Sequence, residues 1–209
     1  MAPPFLTVGH SDRTFEEFAA LLEEAAVEAV VDVRRFPGSR RNPQFDEDAL
    51  ATALSALGVR YERVAELGGR RPVAGDVPPE VNGLWRNRGF HNYADHGLSA
   101  EFGAGLARLR AAGAAHRAAV MCAEAVWWRC HRRIIADHLL AHGHEVLHIM
   151  GGHRVDAARL TPGAVVRTDR VVTYPARPSD EHGSGAAPTG ASPGCDAGPP
   201  PGPSGRAHP

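Results

Sequence analysis

The chain has 209 residues, of which 43% are hydrophobic and 22% are charged, and its formal net charge is -1 at pH 7. This length and composition suffice for one ordinary hydrophobic core and predict a single globular domain. The near-zero net charge gives no overall basic field, so nucleic-acid binding would require a local basic patch.

The first part of the chain alternates between strand and helix patterns. A short apolar run at residues 5–8 predicts a strand, and Thr14 with Glu17 forms a capping box at the start of a helix. The continuous apolar run at residues 29–33 is typical of a buried parallel strand. A second helix is predicted to end at Gly58, and a third strand begins directly after it.

Residues 66–97 form an irregular insert that lacks clear periodicity and is rich in Gly, Pro, Asn and Arg. Long irregular segments of this kind are more often functional than mere spacers, so the insert is interpreted as a lid. Tyr93 is a candidate ligand-binding residue within it. Asn87, Arg88 and His91 are expected to close over the same site.

The last part of the domain returns to regular alternation. Ser99 is the predicted N-cap of a helix, and residues 118–121 and 146–149 are predicted strands on either side of a helix over 128–142. Residues 165–174 are expected to add an edge strand whose orientation the pattern does not define.

Together these elements predict an α/β fold: a single three-layer domain with a mostly parallel, Rossmann-like central sheet and helices on both faces. The domain spans residues 1–176, with its core in residues 5–150. Residues 177–209 are rich in Gly, Pro, Ser and Ala, and they contain too little apolar surface to offset the entropy of ordering. They are predicted to form a disordered tail.

The cysteines and the N-terminus indicate in which cellular compartment the protein resides. Cys122, Cys130 and Cys195 are an odd and sparse set, which is a poor disulfide framework for a secreted domain. The N-terminus lacks the features of a signal peptide, and no stretch approaches the ~18 apolar residues of a membrane span. The prediction is a cytoplasmic protein without a membrane partner.

Polar residues follow several of the predicted strands. In an open parallel sheet, ligands bind outside the carboxyl ends of the strands, where loops and helix N-termini converge. Three such loops are expected to share one crevice, and their candidate site residues are Gly9, His10 and Ser11 after the first strand, Asp32 and Arg34 after the second, and Cys122, Glu124, Cys130, His131 and Arg132 around the fourth.

The leading hypothesis is that this crevice binds a small anionic or nucleotide-like ligand, whether as an enzyme or as a sensor. Arg34 and Arg132 would hold the anion, and His10 is the proton-transfer candidate because its unperturbed pKa lies near 6.5. Asp32 or Glu124 would orient His10. The sequence identifies no cofactor and leaves the oligomeric state open.

Arg132 is predicted to point toward the sheet, because it shares a helical stripe with Trp128, Ile135 and Leu139. A cation in the first turn of a helix opposes the helix dipole, which disfavours it by roughly 0.3–1 kcal/mol unless an anion lies nearby. The expected partner is either a carboxylate of Asp32 or Glu124, or a ligand phosphate or carboxylate.

Cys122 has two interpretations. It is either a thiolate stabilised by a helix N-terminus and Arg132, or a small buried hydrophobe at the end of a core strand. Cys130 has a weaker case, because its predicted helical position points away from Ile135. The spacing contains no CxxC pair and no HExxH motif, so no metal site is predicted.

A basic segment runs from Arg34 to Phe45 and includes the candidate ligand-binding residues Arg40, Arg41 and Asn42. Arginine combined with aromatic side chains suits phosphate contact and base stacking. This pattern indicates either a nucleic-acid binding or processing accessory protein or a solvated charged loop.

The sequence resembles the bacterial family called domain of unknown function 488. The matching blocks are Thr7-Val-Gly-His-Ser11, Asp32-Val-Arg34, Phe36-Pro-Gly-Ser-Arg-Arg-Asn-Pro-Gln-Phe45, Leu67-Gly-Gly69, Cys122-Ala-Glu124 and Cys130-His-Arg132. They extend from about Thr7 to Ile149. The family has no settled activity, so the resemblance implies an α/β fold and a shared polar site without a mechanism.

A looser likeness to rhodanese and cysteine-phosphatase domains suggests cysteine-dependent chemistry at Cys122. The loop departs from their pattern, because a Cys-x5-Arg cradle would need arginine where this chain has Trp128. It also lacks the glycines that let backbone N–H groups wrap an oxyanion. Sulfur-transfer or phosphatase chemistry is therefore kept as an alternative hypothesis.

Overall fold

A computed structural model describes residues 3–38 and 40–176. The strands are β1 (Phe5–Gly9), β2 (Ala29–Asp32), β3 (Arg60–Arg63), β4 (Ala118–Cys122), β5 (Val146–Gly151), β6 (Arg154–Ala157), β7 (Val165–Val166) and β8 (Val172–Thr173). The α-helices are α1 (Phe15–Glu24), α2 (Glu47–Ala56), α3 (Arg88–His96), α4 (Ala100–Ala115) and α5 (Arg132–Ala141). Short 3-10 turns occupy Pro43–Phe45, Ala65–Leu67, Pro79–Asn82 and Trp127–Arg129.

The central sheet has six strands in the order β3-β2-β4-β1-β5-β6. Strands β1 to β5 pair in parallel, and β6 runs antiparallel to β5 at the edge. The predicted mostly parallel α/β fold is confirmed.

Alternate residues along each strand face opposite sides of the sheet and fill two separate cores. Val31 and Val120 pack in one core with residues of α3, α4 and α5. Val30 and Met121 pack in the other core with residues of α1 and α2. The sheet is therefore the middle of three layers, and Cys122 lies on its α4/α5 face.

The start of α1 matches the sequence pattern. The Thr14 side chain accepts a hydrogen bond from the backbone N–H of Glu17, and the Glu17 carboxylate accepts one from the backbone N–H of Thr14. This capping box satisfies N–H groups that the helix itself leaves unpaired, and such caps contribute about 1 kcal/mol. It fixes the entry of α1 just after the β1 loop, which carries His10.

The helix predicted over residues 128–142 begins later than expected. Trp127–Arg129 is a 3-10 turn, and Cys130 is extended, with φ -124° and ψ 148°, so α5 starts only at Arg132. Trp128 consequently does not share a helical stripe with Arg132 and is 45% exposed. The expectation of one continuous helix is wrong here, and the error changes where Cys130 points.

Two other segments differ from the expected pattern. The insert at 66–97 is not wholly irregular, because it contains α3, whose N-cap Asn87 accepts hydrogen bonds from the backbone of Gly89 and Phe90. Residues 165–174 do not form an edge strand of the central sheet. They contain β7 and β8, which pair with each other.

Strand β6, which forms the edge of the central sheet beside β5, is not among the strands predicted from the sequence. It is four residues long and mostly exposed, so it lacks the apolar alternation that marks a core strand. It pairs with β5 through a tight turn in which Gly151, Gly152 and His153 have φ of 94°, 58° and 61°.

Among residues 3–38 and 40–176, no helix combines the length and apolar character needed to cross a membrane. The predicted tail at 177–209 lies outside the described residues.

Candidate functional site

The sheet topology brings the three polar loops to one edge. Strand β4 lies between β2 and β1, with Gly9 in register with Cys122 and Asp32 in register with Met121. Because these three strands are parallel neighbours, their carboxyl ends carry the predicted residues side by side. Gly9 is required at this edge, since a Cβ there would overlap the carbonyl of Glu124.

The predicted crevice is divided into two cavities. The larger one, of about 580 Å³, is called here the cysteine cavity, and its wall includes Cys122, Cys130 and His131. The smaller one, of about 380 Å³, is called the histidine cavity, and its wall includes His10 and Ser11. The residues that line both are Arg34, Phe36, Gly38, Ala123 and Glu124.

Asp32 and Arg34 form a buried ion pair in the wall between the cavities. Arg34 Nε donates to Asp32 Oδ1 at 2.9 Å and its Nη2 donates to Oδ2 at 2.6 Å. The Tyr61 hydroxyl donates to Asp32 Oδ2 at 2.8 Å, and burial together with Asp32 raises the pKa of Tyr61. Arg34 is therefore committed to Asp32, and Asp32 does not orient His10.

His10 is buried against Phe45, with 4.2 Å between the ring centroids. Its Nδ1 lies 2.8 Å from the carbonyl oxygen of Ser11, which can only accept, so Nδ1 carries the proton in the neutral ring. Nε2 then accepts from Arg34 Nη1 at 3.4 Å. Burial, followed by the charge of Arg34, lowers the pKa of His10 to about 4, so the ring is neutral at pH 7.

Arg132 is buried, as its predicted inward orientation requires. The expectation that Arg132 pairs with the carboxylate of Asp32 or Glu124 is wrong. Arg132 Nη2 donates to the backbone carbonyl of Glu124, and Arg132 Nε donates to Cys130 Sγ at 3.3 Å. The Glu124 side chain is instead exposed and lines both cavities. Arg132 thus holds the β4 loop in place and contacts a sulfur atom.

Cys122 and Cys130 lie side by side, with 3.0 Å between their Sγ atoms. The hydrogen bond between them, followed by burial, raises the pKa of the Cys122 thiol. Burial also opposes ionisation of Cys130, but its hydrogen bond with Cys122 and the nearby His131 and Arg132 lower its pKa well below the usual range. These directions, together with the N–H that Arg132 Nε donates to Cys130 Sγ, favour Cys130 as the thiolate of the pair and Cys122 as the donor.

The structure therefore favours Cys130 as the reactive thiolate, whereas the sequence pattern favours Cys122. Cys130 was expected to point away from Ile135 as part of a helix, whereas its extended backbone turns the side chain into the core beside Cys122.

His131 completes a cluster with the two cysteines. Its Nδ1 lies 3.6 Å from Cys130 Sγ, and its Nε2 lies 3.1 Å from the carbonyl oxygen of Val33. The ring packs against Tyr93, with 4.9 Å between centroids. One ligand atom from each of Cys122, Cys130 and His131 lies within 4.8 Å of the others.

The insert contributes fixed walls to the cysteine cavity. Tyr93 is buried, and its hydroxyl donates to the carbonyl of Leu67 at 2.6 Å, so it forms a wall and not a loose cover. Asn87 also lines this cavity, whereas Arg88 and His91 line neither of the two.

The basic segment is only partly exposed. Phe45 is buried and packs against His10 and Phe18, which removes it from base stacking. Phe36 is 67% exposed, and the Arg35 guanidinium lies 5.6 Å from its ring centroid.

The remaining candidates of this segment lie at the histidine cavity or at the surface. Arg41 and Asn42 line the histidine cavity, and Asn42 Nδ2 lies 3.5 Å from the carbonyl of Ser11. Arg40 is exposed and lines neither cavity.

Two arginines of the cysteine cavity were missed by the sequence analysis. Arg70 belongs to the insert, and its backbone adopts a positive φ of 56°. Arg129 lies in the 3-10 turn Trp127–Arg129, where the sequence pattern predicts part of a helix. Neither position carries a local sequence signal for this placement.

The fold and site define a three-layer α/β domain with a cysteine–histidine cluster beside an arginine-lined cavity at the strand ends. The chain belongs to the DUF488 family, described as domain of unknown function DUF488, whose family model matches residues 14–139. The match covers the segment from Asp32 to Arg132 but begins after His10. No curated protein and no solved structure is significantly similar to the chain.

Proposed function

We propose that this protein is an enzyme that binds a small anionic substrate in the cysteine cavity and acts on it with the cluster of Cys122, Cys130 and His131. The observation that carries the proposal is that the two thiols and the imidazole line the same cavity as Arg70 and Arg129. A volume of about 580 Å³ is typical of small-molecule sites.

The charge of the cavity favours an anion. Its walls include Arg34, Arg35, Arg70 and Arg129, and Glu124 is the single carboxylate among the described lining residues. Asp32 neutralises Arg34. Arg70 and Arg129 make no side-chain hydrogen bond or ion pair with the described residues, so their guanidinium groups remain available to a phosphate or carboxylate.

The cluster supplies the reactive groups. Cys130 lies beside the Arg132 guanidinium, which favours its thiolate form, and a thiolate is both a nucleophile and a metal ligand. This differs from rhodanese and cysteine-phosphatase loops, because Arg132 is bound to the carbonyl of Glu124 and is not directed at a ligand. In this protein Arg70 and Arg129 would bind the anion instead.

The proposal is tested by calorimetric titration with inorganic phosphate and with AMP. Replacing both Arg70 and Arg129 by Gln should weaken the binding of the tighter probe by one to two orders of magnitude, since a hydrogen bond to a charged group contributes about 1.5–3 kcal/mol. Arg159→Gln is the matched control, because Arg159 is exposed and lines none of the described cavities. Equal affinity in the double variant and the control would contradict the proposed site.

A further inference from the structure

We propose that Cys122 Sγ, Cys130 Sγ and His131 Nδ1 bind one divalent, thiophilic metal ion, with Zn²⁺ as the best-matched ion, and that its fourth position opens into the cysteine cavity. The inference rests on the proposed function only in taking this cluster as the reactive centre. Metal binding itself can be measured without any substrate.

Cys130 Sγ and His131 Nδ1 have the spacing of two ligands of tetrahedral zinc, and Cys122 Sγ lies near enough to join them, since all three ligand atoms are within 4.8 Å of one another. With Zn–S of about 2.3 Å and Zn–N of about 2.0–2.1 Å, tetrahedral angles place two sulfurs ~3.7 Å apart and a sulfur and nitrogen ~3.5 Å apart. Cys130 Sγ and His131 Nδ1 are already 3.6 Å apart. The two sulfurs, at 3.0 Å, would separate by roughly 0.7 Å once the metal replaced the proton between them.

The His131 ring is oriented for coordination. Its Nε2 donates to the carbonyl of Val33, so Nδ1, which faces Cys130 Sγ, is the ring nitrogen that can bind a metal ion. Metal-binding histidines commonly donate their other N–H to a carbonyl or carboxylate in this way, which fixes both tautomer and ring angle.

Gly69 lets the chain pack directly against the His131 ring. A Cβ at position 69 would lie 2.9 Å from Nδ1, 3.2 Å from Cε1 and 3.3 Å from Cγ, so it would press on the face of the imidazole and displace the ring. Gly69, both cysteines and His131 all line the cysteine cavity, so an ion held there would face it. Three protein ligands with one open position is the arrangement of catalytic zinc sites, including sites with two cysteines and one histidine.

The surrounding charges are compatible with a bound dication. Two thiolates balance Zn²⁺, and the N–H of Arg132 Nε can remain hydrogen-bonded to Cys130 Sγ, as outer groups often are at metal-bound sulfur. The arginines of the cavity then leave an excess positive charge at the open position. That excess favours an anionic fourth ligand, in agreement with the proposed substrate class.

The test is a Co²⁺ titration of the full-length chain after chelator treatment under reducing conditions. We expect one equivalent to bind, with a near-ultraviolet thiolate-to-cobalt absorption band that Zn²⁺ abolishes. Cys130→Ser and His131→Ala should each lower the affinity at least tenfold. Cys195→Ser, which removes the remaining cysteine of the chain, is the control and should leave the titration unchanged.

A second variant guards against loss of folding. Gly69→Ala retains all three ligands but places a methyl group against the face of the His131 ring, which displaces Nδ1 from the two sulfurs. It should weaken Co²⁺ binding at least tenfold while the far-ultraviolet circular dichroism remains native. Absence of the band in the wild-type protein, or its persistence in Cys130→Ser, would overturn the metal site. So would a reduced protein that binds no Co²⁺ and closes a Cys122–Cys130 disulfide on mild oxidation.

The outcomes for the two proposals can be told apart. Loss of phosphate or AMP binding in the Arg70 and Arg129 double variant, with an intact cobalt band, supports both. Intact anion binding without a cobalt band removes the metal and leaves the proposed anion site.

Discussion

The cysteine cavity and the histidine cavity share one wall but differ in the chemistry available to each. In the first, two thiols and an imidazole lie beside Arg70 and Arg129, which have no carboxylate partner among the residues that the structure describes. In the second, His10 is neutral and already hydrogen-bonded on both ring nitrogens. Polar residues at neighbouring strand ends therefore need not form one site.

The division follows from the pleat of the sheet. Cys122 belongs to the core on the α4/α5 face, whereas His10 stacks on Phe45, which belongs to the core on the α1/α2 face. Side chains one residue apart along a strand go to opposite faces. Loops that follow neighbouring strands can thus deliver their side chains to different cavities.

The largest expected effect concerns the shared wall. Asp32→Asn would leave the buried Arg34 guanidinium without its counter-charge, and breaking a buried ion pair from one side costs about 3–5 kcal/mol. The free energy of unfolding, measured by urea denaturation, should fall by that amount.

Two further variants calibrate this loss. Tyr61→Phe, which removes one hydrogen bond to Asp32, should cost about 1 kcal/mol. Glu101→Gln breaks an ion pair with Arg71 in which Glu101 is half exposed, and it should cost less still. A loss in Asp32→Asn no larger than in Glu101→Gln would show that the wall between the cavities is not held by this pair.

The next largest expected effect is a pH dependence of the free energy of unfolding, which arises from His10 in the histidine cavity. The pKa of His10 falls from 6.5 to about 4 on folding, so between these values the unfolded chain binds a proton that the folded chain does not. The stability that comes from keeping His10 neutral is complete above pH 6.5 and is lost as the pH falls toward 4. One pKa unit corresponds to 1.36 kcal/mol, so the loss between pH 7 and pH 4 should be about 3 kcal/mol.

The measurement compares wild type with His10→Phe, which keeps the aromatic stack on Phe45. Urea midpoints from pH 7 to pH 4 should decline less steeply in the variant. Leu54→Val serves as the control, because Leu54 is buried in the same core as Phe45 and carries no titratable group, so the slope should stay that of wild type. Identical slopes for wild type and His10→Phe would mean that His10 titrates normally and is free to transfer protons near neutral pH.

Much of the fold could be predicted because its strands are buried apolar runs and its helices have recognisable caps, as at Thr14 and Ser99. The inward orientation of Arg132 could be predicted from helical spacing. Its partners could not, because a backbone carbonyl leaves no trace in the side-chain pattern. Arg70 was not predicted, and the orientation of Cys130 was predicted wrongly, for a related reason: their positions depend on single backbone conformations and not on a repeating pattern.

The smallest effect, and the one that separates the two cysteines, is their reactivity in metal-free protein. The lowered pKa of Cys130 predicts that its thiolate persists as the pH falls below the range of an ordinary thiol, whereas Cys122 stays protonated. At pH 6, iodoacetamide should modify Cys130 at least tenfold faster than Cys122, which is similarly buried, measured by mass spectrometry of peptides in a Cys195→Ser background. Cys122→Ser should slow the modification of Cys130, because it exchanges the thiol that donates to Cys130 for a hydroxyl. If Cys122 is modified first, the assignment of thiol and thiolate is reversed, and the nucleophile lies at the end of β4 instead of before α5.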